Sequence, residues 1–270
     1  MSDVPMYFPP SPFNLDDARI CSDLVDTAYD MYSQWQAQSN PDRKAFKWIP
    51  HGPAMYYGQS IWGAEKFLWI FKQKEPFAFT ARSSEGTAYL VFRGTESVED
   101  WTSDLDADQT PYTRAQNFGM VHDGFMKLYD SMANDMIESL TTLGDCKKLF
   151  IIGHSLGSGL STLSVPDVIN RTQFRPAIMP VFHYNLASPR VGDPRFVEKY
   201  QQSQVPTFRV VNTCDLVPNV PLAVCDEILY EHVGTSVDFT AQYGSLTGNH
   251  SAEYAYRYAL LHPNHPQSGG

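Results

Sequence analysis

Apolar and polar residues alternate along this chain with two periods, and the switches between them mark its elements. Residues 15–35 carry apolar side chains at helical spacing through Leu15, Ile20, Leu24, Val25, Ala28 and Tyr32. Asn14 stands just before them as a helix N-cap. "FLWIF" (67–71), "FAFTAR" (77–82) and "TAYLVFRG" (87–94) predict strands, with "SSEG" as the turn before the third. Residues 124–143 return to helical spacing through Phe125, Leu128, Met132, Met136 and Leu140. "KKLFIIG" is then a short apolar run of the kind that lies inside a parallel sheet. "PVFHYNLASP" and "TFRVVNTCD" predict two more strands around a helical "PRFVEKYQQ", and "ILYEHVGTSVDF" alternates like a strand. A last helix is expected near Asn249, carrying Tyr254, Tyr258 and Leu261.

Strands alternating with helices predict an α/β fold, a mostly parallel central sheet with helices on both faces. The expected organisation is an arm over 1–14, which holds Pro5, Pro9, Pro10 and Pro12, one domain over 15–262, and a flexible tail over 263–270. No internal repeat or long linker divides the chain.

Composition narrows the partners. The net charge of −10 disfavours nucleic acid and gains little from an anionic membrane surface. Aromatic residues make up 13%, enough for a bulky core or an acyl pocket. No apolar stretch approaches the length of a transmembrane helix. "MSDVPMYFPP" lacks the basic start and apolar run of a signal peptide. A cytoplasmic location is therefore expected, or a secreted one if a leader has been removed. Cys21, Cys146, Cys214 and Cys225 form no C-x-x-C pair and are expected to be mostly free thiols, with a Cys214–Cys225 bridge left open. No histidine or carboxylate cluster has metal-ligand spacing, so neither metal nor cofactor is expected.

The candidate chemistry lies after the strand "KKLFIIG". Gly153-His154-Ser155-Leu156-Gly157 matches G-x-S-x-G. In that pattern a tight strand-to-helix turn lifts the serine clear of the sheet, and the flanking glycines remove Cβ atoms that would clash. The alternative for Ser155 is an ordinary helix N-cap. A serine nucleophile needs a histidine base and a carboxylate to orient it, in the chain order Ser, Asp, His. Asp215 ends a predicted strand, with Asp226 as its competitor; from position alone Asp215 is equally a turn residue. His250 opens the last helix after a glycine turn, whereas His232 sits in the alternating stretch and His262 and His265 lie at or near the tail. The loop after "YLVFRGT" is placed to give an oxyanion donor from Thr95, beside the Leu156 N–H.

The stretches "VFRGTESVEDWTSDL", "VHDGF", "IIGHSLGSGLS", "YNLASPRVGD", "VNTCDLVPNVPL" and "NHSAEYAY", in this order from about residue 88 to residue 258, resemble the class 3 lipases, an α/β-hydrolase group that includes the fungal triacylglycerol lipases. The resemblance implies a Ser155 nucleophile, Asp215 acid and His250 base, with Thr95 and Leu156 forming the oxyanion hole. It implies a serine carboxylic-ester hydrolase whose partner is a lipid ester, taken from an oil–water or membrane interface. It further implies a lid over about 97–104, with Trp101 and Asp104 as candidate lid residues and Leu222 as a further candidate for substrate contact. Alternatives are a phospholipase, galactolipase or aromatic-acid esterase, or a non-catalytic binding protein on the same scaffold. The chain departs from the family at Ser158, where a second glycine is usual. The stretch from Asp215 to His250 is shorter than in the secreted fungal enzymes.

Overall fold

The computed structural model describes residues 13–64, 74–95, 98–99 and 107–268. The strand expected over 67–71, the lid candidates Trp101 and Asp104, and residues 1–12 of the arm lie outside these residues.

Helix α1 spans Leu15–Ala37. Asn14 Oδ1 caps it by accepting from the Asp16 and Asp17 N–H groups at 2.9 and 3.0 Å. The strands are β1 (Tyr56–Gly63), β2 (Glu75–Arg82), β3 (Thr87–Phe92), β4 (Gln109–Pro111), β5 (Met120–His122), β6 (Lys148–His154), β7 (Val181–Leu186), β8 (Thr207–Asn212), β9 (Val224–Cys225), β10 (Ile228–Leu229) and β11 (Thr235–Phe239). The principal helices between them are α2 (Asp123–Thr141), α3 (Leu156–Arg171) and α4 (Pro194–Gln201). The chain then forms α5 (Leu246–His250), a π-helical turn over Ala252–Arg257, and α6 (Tyr258–Leu261).

Among the described residues the main sheet runs β1-β2-β3-β6-β7-β8-β11. The pairs β1–β2 and β2–β3 are antiparallel, and every pair from β3 to β11 is parallel. The fold is therefore the expected α/β-hydrolase arrangement. Alternation along the strands feeds a separate core on each face. Leu90, Leu149 and Ile151 pack with Phe125, Met132, Met136 and Leu140 of α2 and with Leu160 and Leu163 of α3. Val91, Phe150 and Ile152 face the other way, onto Leu24, Val25 and Ala28 of α1 and Ala255, Tyr256 and Leu260 near the end. Each fully buried side chain of this size contributes about 1.5–3 kcal/mol.

Three elements differ from expectation. Strand β1 was not expected: "YYGQSIWG" mixes glycine, glutamine and serine into an edge strand and blurs its period. The alternating stretch 228–239 is broken. Only 228–229 and 235–239 are strand, because Gly234 turns at φ +69° and presses against Thr207, where a Cβ would come within 2.5 Å. The last helix begins at Leu246 and stops at Ser251, whose hydroxyl accepts from the Tyr254 N–H and starts a second helical segment. The wide π turn rotates the buried face onto Ala255, Tyr256, Ala259 and Leu260, leaving Tyr254 and Leu261 exposed.

At the two ends of the described chain, Phe13 packs its ring 5.3 Å from Phe208, and Gln267 bonds Gln242. All four cysteines are free thiols, so no bridge joins Cys214 to Cys225. No described helix is long and apolar enough to cross a membrane.

Candidate active site

The parallel strands β6 and β8 end on the same side of the sheet, and the candidate residues gather there. Ser155 joins β6 to α3 with φ 58° and ψ −130°, a conformation that a non-glycine residue holds only under constraint. The neighbouring glycines make the turn possible. A Cβ on Gly153 would come within 2.3 Å of the Gly157 carbonyl oxygen, and one on Gly157 within 2.4 Å of the Arg93 oxygen. The Ser155 hydroxyl is fully buried and has no hydrogen-bond partner among the described residues. It is not the side-chain N-cap of α3, which removes that alternative. Ser158, the departure from the family pattern, is accommodated by donating its hydroxyl to the Leu186 carbonyl at 2.8 Å.

Asp215 lies three residues past β8 and is buried. Its Oδ1 accepts from the Val217 N–H at 3.0 Å. Its Oδ2 accepts from the Tyr256 hydroxyl at 2.6 Å and from His250 Nδ1 at 2.7 Å. A histidine that donates from Nδ1 leaves Nε2 as an acceptor in its neutral form. His250 Nε2 is buried and, like Ser155 Oγ, has no partner among the described residues. The His250 ring lies 4.6 Å, centroid to centroid, from His154, the residue preceding Ser155.

His154 itself is a structural strut. Its Nε2 donates to the His250 carbonyl at 3.0 Å, so its Nδ1 accepts from the Tyr29 hydroxyl at 2.7 Å. Burial, and then the nearby His250, hold its pKa well below the ordinary histidine value and keep it neutral. The same Tyr29 oxygen accepts from the Gly94 N–H at 3.1 Å. Arg93 anchors this loop from the other end. It is sandwiched between the rings of Tyr32 and Phe77, paired with Glu75 at 2.6 Å, and donates to the Gly94 carbonyl at 2.7 Å. A Cβ on Gly94 would sit 2.7 Å from the Ser155 Cβ, so this loop runs directly past the serine and delivers Thr95 beside it. Leu156, the first residue of α3, is buried next to both. A cleft of about 660 Å³ opens here, with Thr95, Val98, His154 and His250 on its wall.

The competing residues lie apart from this cluster. His232 Nε2 bonds the Pro218 carbonyl at 2.8 Å, and burial, then Arg209, push its pKa down to about 3. Asp226 is exposed in the turn of the β9–β10 hairpin. His262 and His265 are exposed. Leu222 is exposed beyond Asp215.

Two further residues hold the site, Tyr29 and Tyr256, and no role is legible for either in the sequence, although Tyr256 closes the stretch "NHSAEYAY". Tyr29 sits inside an ordinary helical repeat. Tyr256 becomes the inward tyrosine only because the π turn shifts the buried face. Replacing Tyr256 with phenylalanine removes one charge-assisted bond to the Asp215 carboxylate, a loss of about 1.5–3 kcal/mol. Chemical unfolding of the variant is expected to show that loss.

The family model for lipase (class 3) matches residues 89–225, just over half the chain. The chain belongs to the class 3 lipase family. The match spans Thr95, Ser155, Leu156 and Asp215, while His250 and Tyr256 lie beyond it and Tyr29 before it. Within the family, a lipase of Rhizomucor miehei is 34% identical over 152 residues, covering 54% of this chain and 41% of that protein. The chloroplastic phospholipase A(1) DAD1 of Arabidopsis thaliana is 28% identical over 198 residues, covering 67% of this chain and 42% of that protein. The chain thus spans about two fifths of the length of these class 3 relatives. The solved Rhizomucor miehei triacylglyceride lipase superposes with a TM-score of 0.65 at 22% identity, over 86% of this chain and 82% of that one. That likeness shows a shared fold.

Proposed function

We propose that this class 3 lipase family member is a serine carboxylic-ester hydrolase acting on acylglycerol esters. The observation that carries the proposal is the pair of buried, unpartnered atoms, Ser155 Oγ and His250 Nε2, beside an Asp215–His250 hydrogen bond of 2.7 Å. A buried hydroxyl left without a partner costs about 1–3 kcal/mol, and such orphans are kept where chemistry uses them.

The mechanism follows from the roles. His250 Nε2 takes the Ser155 proton as Oγ attacks the ester carbonyl. Asp215 holds the ring and stabilises the imidazolium that forms. The oxyanion is received by the N–H groups of Leu156 and Thr95, with the Thr95 hydroxyl as a third donor. His250 then protonates the departing alcohol, and the same histidine activates water to release the acyl group. The strained turn fixes Ser155 at the start of α3, where the positive end of the helix dipole meets the developing negative charge.

The phospholipase A(1) relative in Arabidopsis supports a second reading, in which the same machinery cleaves a phospholipid acyl ester. Rates on p-nitrophenyl esters of increasing chain length, on emulsified triacylglycerol and on phospholipid vesicles test both. No hydrolysis of any of them by a folded preparation would overturn the enzyme proposal.

Thr95→Val tests the oxyanion assignment. If the hydroxyl donates in the transition state, kcat is expected to fall about 10²–10³-fold with little change in melting temperature. A kcat near wild type leaves the role to the backbone N–H alone.

A further inference from the structure

The cleft beside His250 is lined by three carboxylates and by His51. Asp26 and Asp30 of α1 and Glu253 of the π turn line it, and no lysine or arginine does so among the described residues. His51 pairs with Asp30 at 3.2 Å. The Arg257 guanidinium is divided between Asp23 at 2.6 Å and Asp26 at 3.2 Å, and the Arg93 guanidinium near Thr95 is paired with Glu75. Among the described residues, the three lining carboxylates thus share one arginine, Arg257, as an ion-pair partner. This acidic wall is continuous with the reacting groups: His250, with its buried and unpartnered Nε2, and Thr95 line the same cleft. An ester placed against His250 and Thr95 lies in the cleft that Asp26, Asp30 and Glu253 also line.

We propose that this wall sets the charge class of the substrate, admitting esters of uncharged glycerides and rejecting those that carry a phosphate next to the scissile ester. The proposal rests on the ester-hydrolase function above and goes further by choosing between two substrate types that kinship leaves open, since both lipases and a phospholipase A(1) are relatives. The physical reason is like-charge repulsion across an open cleft, where charges within about 8–10 Å act on each other and added salt screens them. Asp26 adds a dependence on pH. Burial raises its carboxyl to about 7, against the pull of Arg257 and with the push of Glu253 and Asp23. The wall therefore gains negative charge as pH rises from 6 to 8, and discrimination against a phosphate deepens over that window.

The test compares dibutyrylglycerol with the dibutyryl ester of glycerophosphoglycerol, both monomeric in water, at about 0.01 M salt, where the Debye length is about 30 Å, and at about 0.5 M NaCl, where it is about 4 Å. Wild type is expected to give a kcat/KM for the neutral ester about ten- to a hundredfold above that for the anionic one at low salt. Salt is expected to shrink that ratio. The Asp26→Asn, Asp30→Asn, Glu253→Gln triple variant is expected to shrink it toward unity and to lose both its salt and its pH dependence. Because each ratio compares two substrates on one enzyme, titration of the catalytic groups cancels. A wild-type ratio indifferent to salt overturns the proposal even if the triple variant fails to fold. So does a folded variant that keeps the wild-type ratio. Turnover without charge discrimination sinks this inference alone, whereas hydrolysis of neither ester sinks the ester-hydrolase function and the inference with it.

Discussion

Replacing Ser155 with alanine is expected to lower ester turnover by on the order of 10⁶ while leaving the melting temperature equal or higher. The size of the first effect follows from the role proposed for Ser155: without that nucleophile no acyl-enzyme would form, and only binding and the oxyanion donors would remain. The second effect follows from the structure. Alanine keeps the Cβ, so the turn at φ 58° is no more strained than before. What leaves is a buried hydroxyl without a partner among the described residues, whose burial costs about 1–3 kcal/mol. The proposed nucleophile, held at the expense of stability, thus predicts opposite signs for activity and for melting temperature. Steady-state hydrolysis of p-nitrophenyl butyrate, read beside calorimetry of the same preparation, measures both. Activity within a hundredfold of wild type removes Ser155 from the reaction, and a melting temperature lowered by many degrees gives its hydroxyl a structural partner instead.

His250→Ala is expected to cost about as much as the serine variant, on the order of 10⁵–10⁶ in kcat, because base and nucleophile act as one unit. Asp215→Asn is expected to cost about 10⁴, since an amide facing Nδ1 no longer holds the ring in the tautomer that leaves Nε2 free to accept. These losses should not add: the double variant is expected to be hardly slower than His250→Ala alone. His232→Ala provides the contrast. That side chain bonds the Pro218 carbonyl at 2.8 Å and stays neutral through the physiological range. Its removal is expected to change kcat less than twofold and to cost about 1 kcal/mol of stability from the lost hydrogen bond. If His232→Ala proves the more damaging of the two histidine changes in kcat, the base has been misassigned.

Much of the sheet is visible in the sequence wherever burial imposes a clean period. β3 and β6 read as strands because both faces of each are covered, and α1 and α2 because one stripe of each is buried. The period fails where burial is uneven. β1 lies at the sheet edge with a polar, glycine-containing sequence, and 228–239 alternates in sequence while Gly234 forces a turn through it. The candidate site divides in the same way. Ser155, with its glycines, is legible because the sharp turn demands small neighbours. Asp215 and His250 were ranked by chain order and resemblance, since position alone left Asp215 an ordinary turn residue. For Tyr29, Tyr256 and Asp26 no role is legible. Their roles depend on which element lies opposite them, and no local pattern records that.

The first and last described helices meet beside the candidate site, and this orders the steps of folding. Arg19 of α1 donates to the Leu260 carbonyl, 241 positions away, and Arg257 reaches Asp23 across 234. Contacts of such separation are made late, after the chain has met the loop-closure cost of bringing its ends together. His250 and Tyr256 belong to the last segment, and Tyr29 to the first. On refolding from denaturant, the sheet's circular dichroism should therefore recover before ester hydrolysis does. The lag between the two signals measures how long the protein spends assembled in outline yet chemically silent.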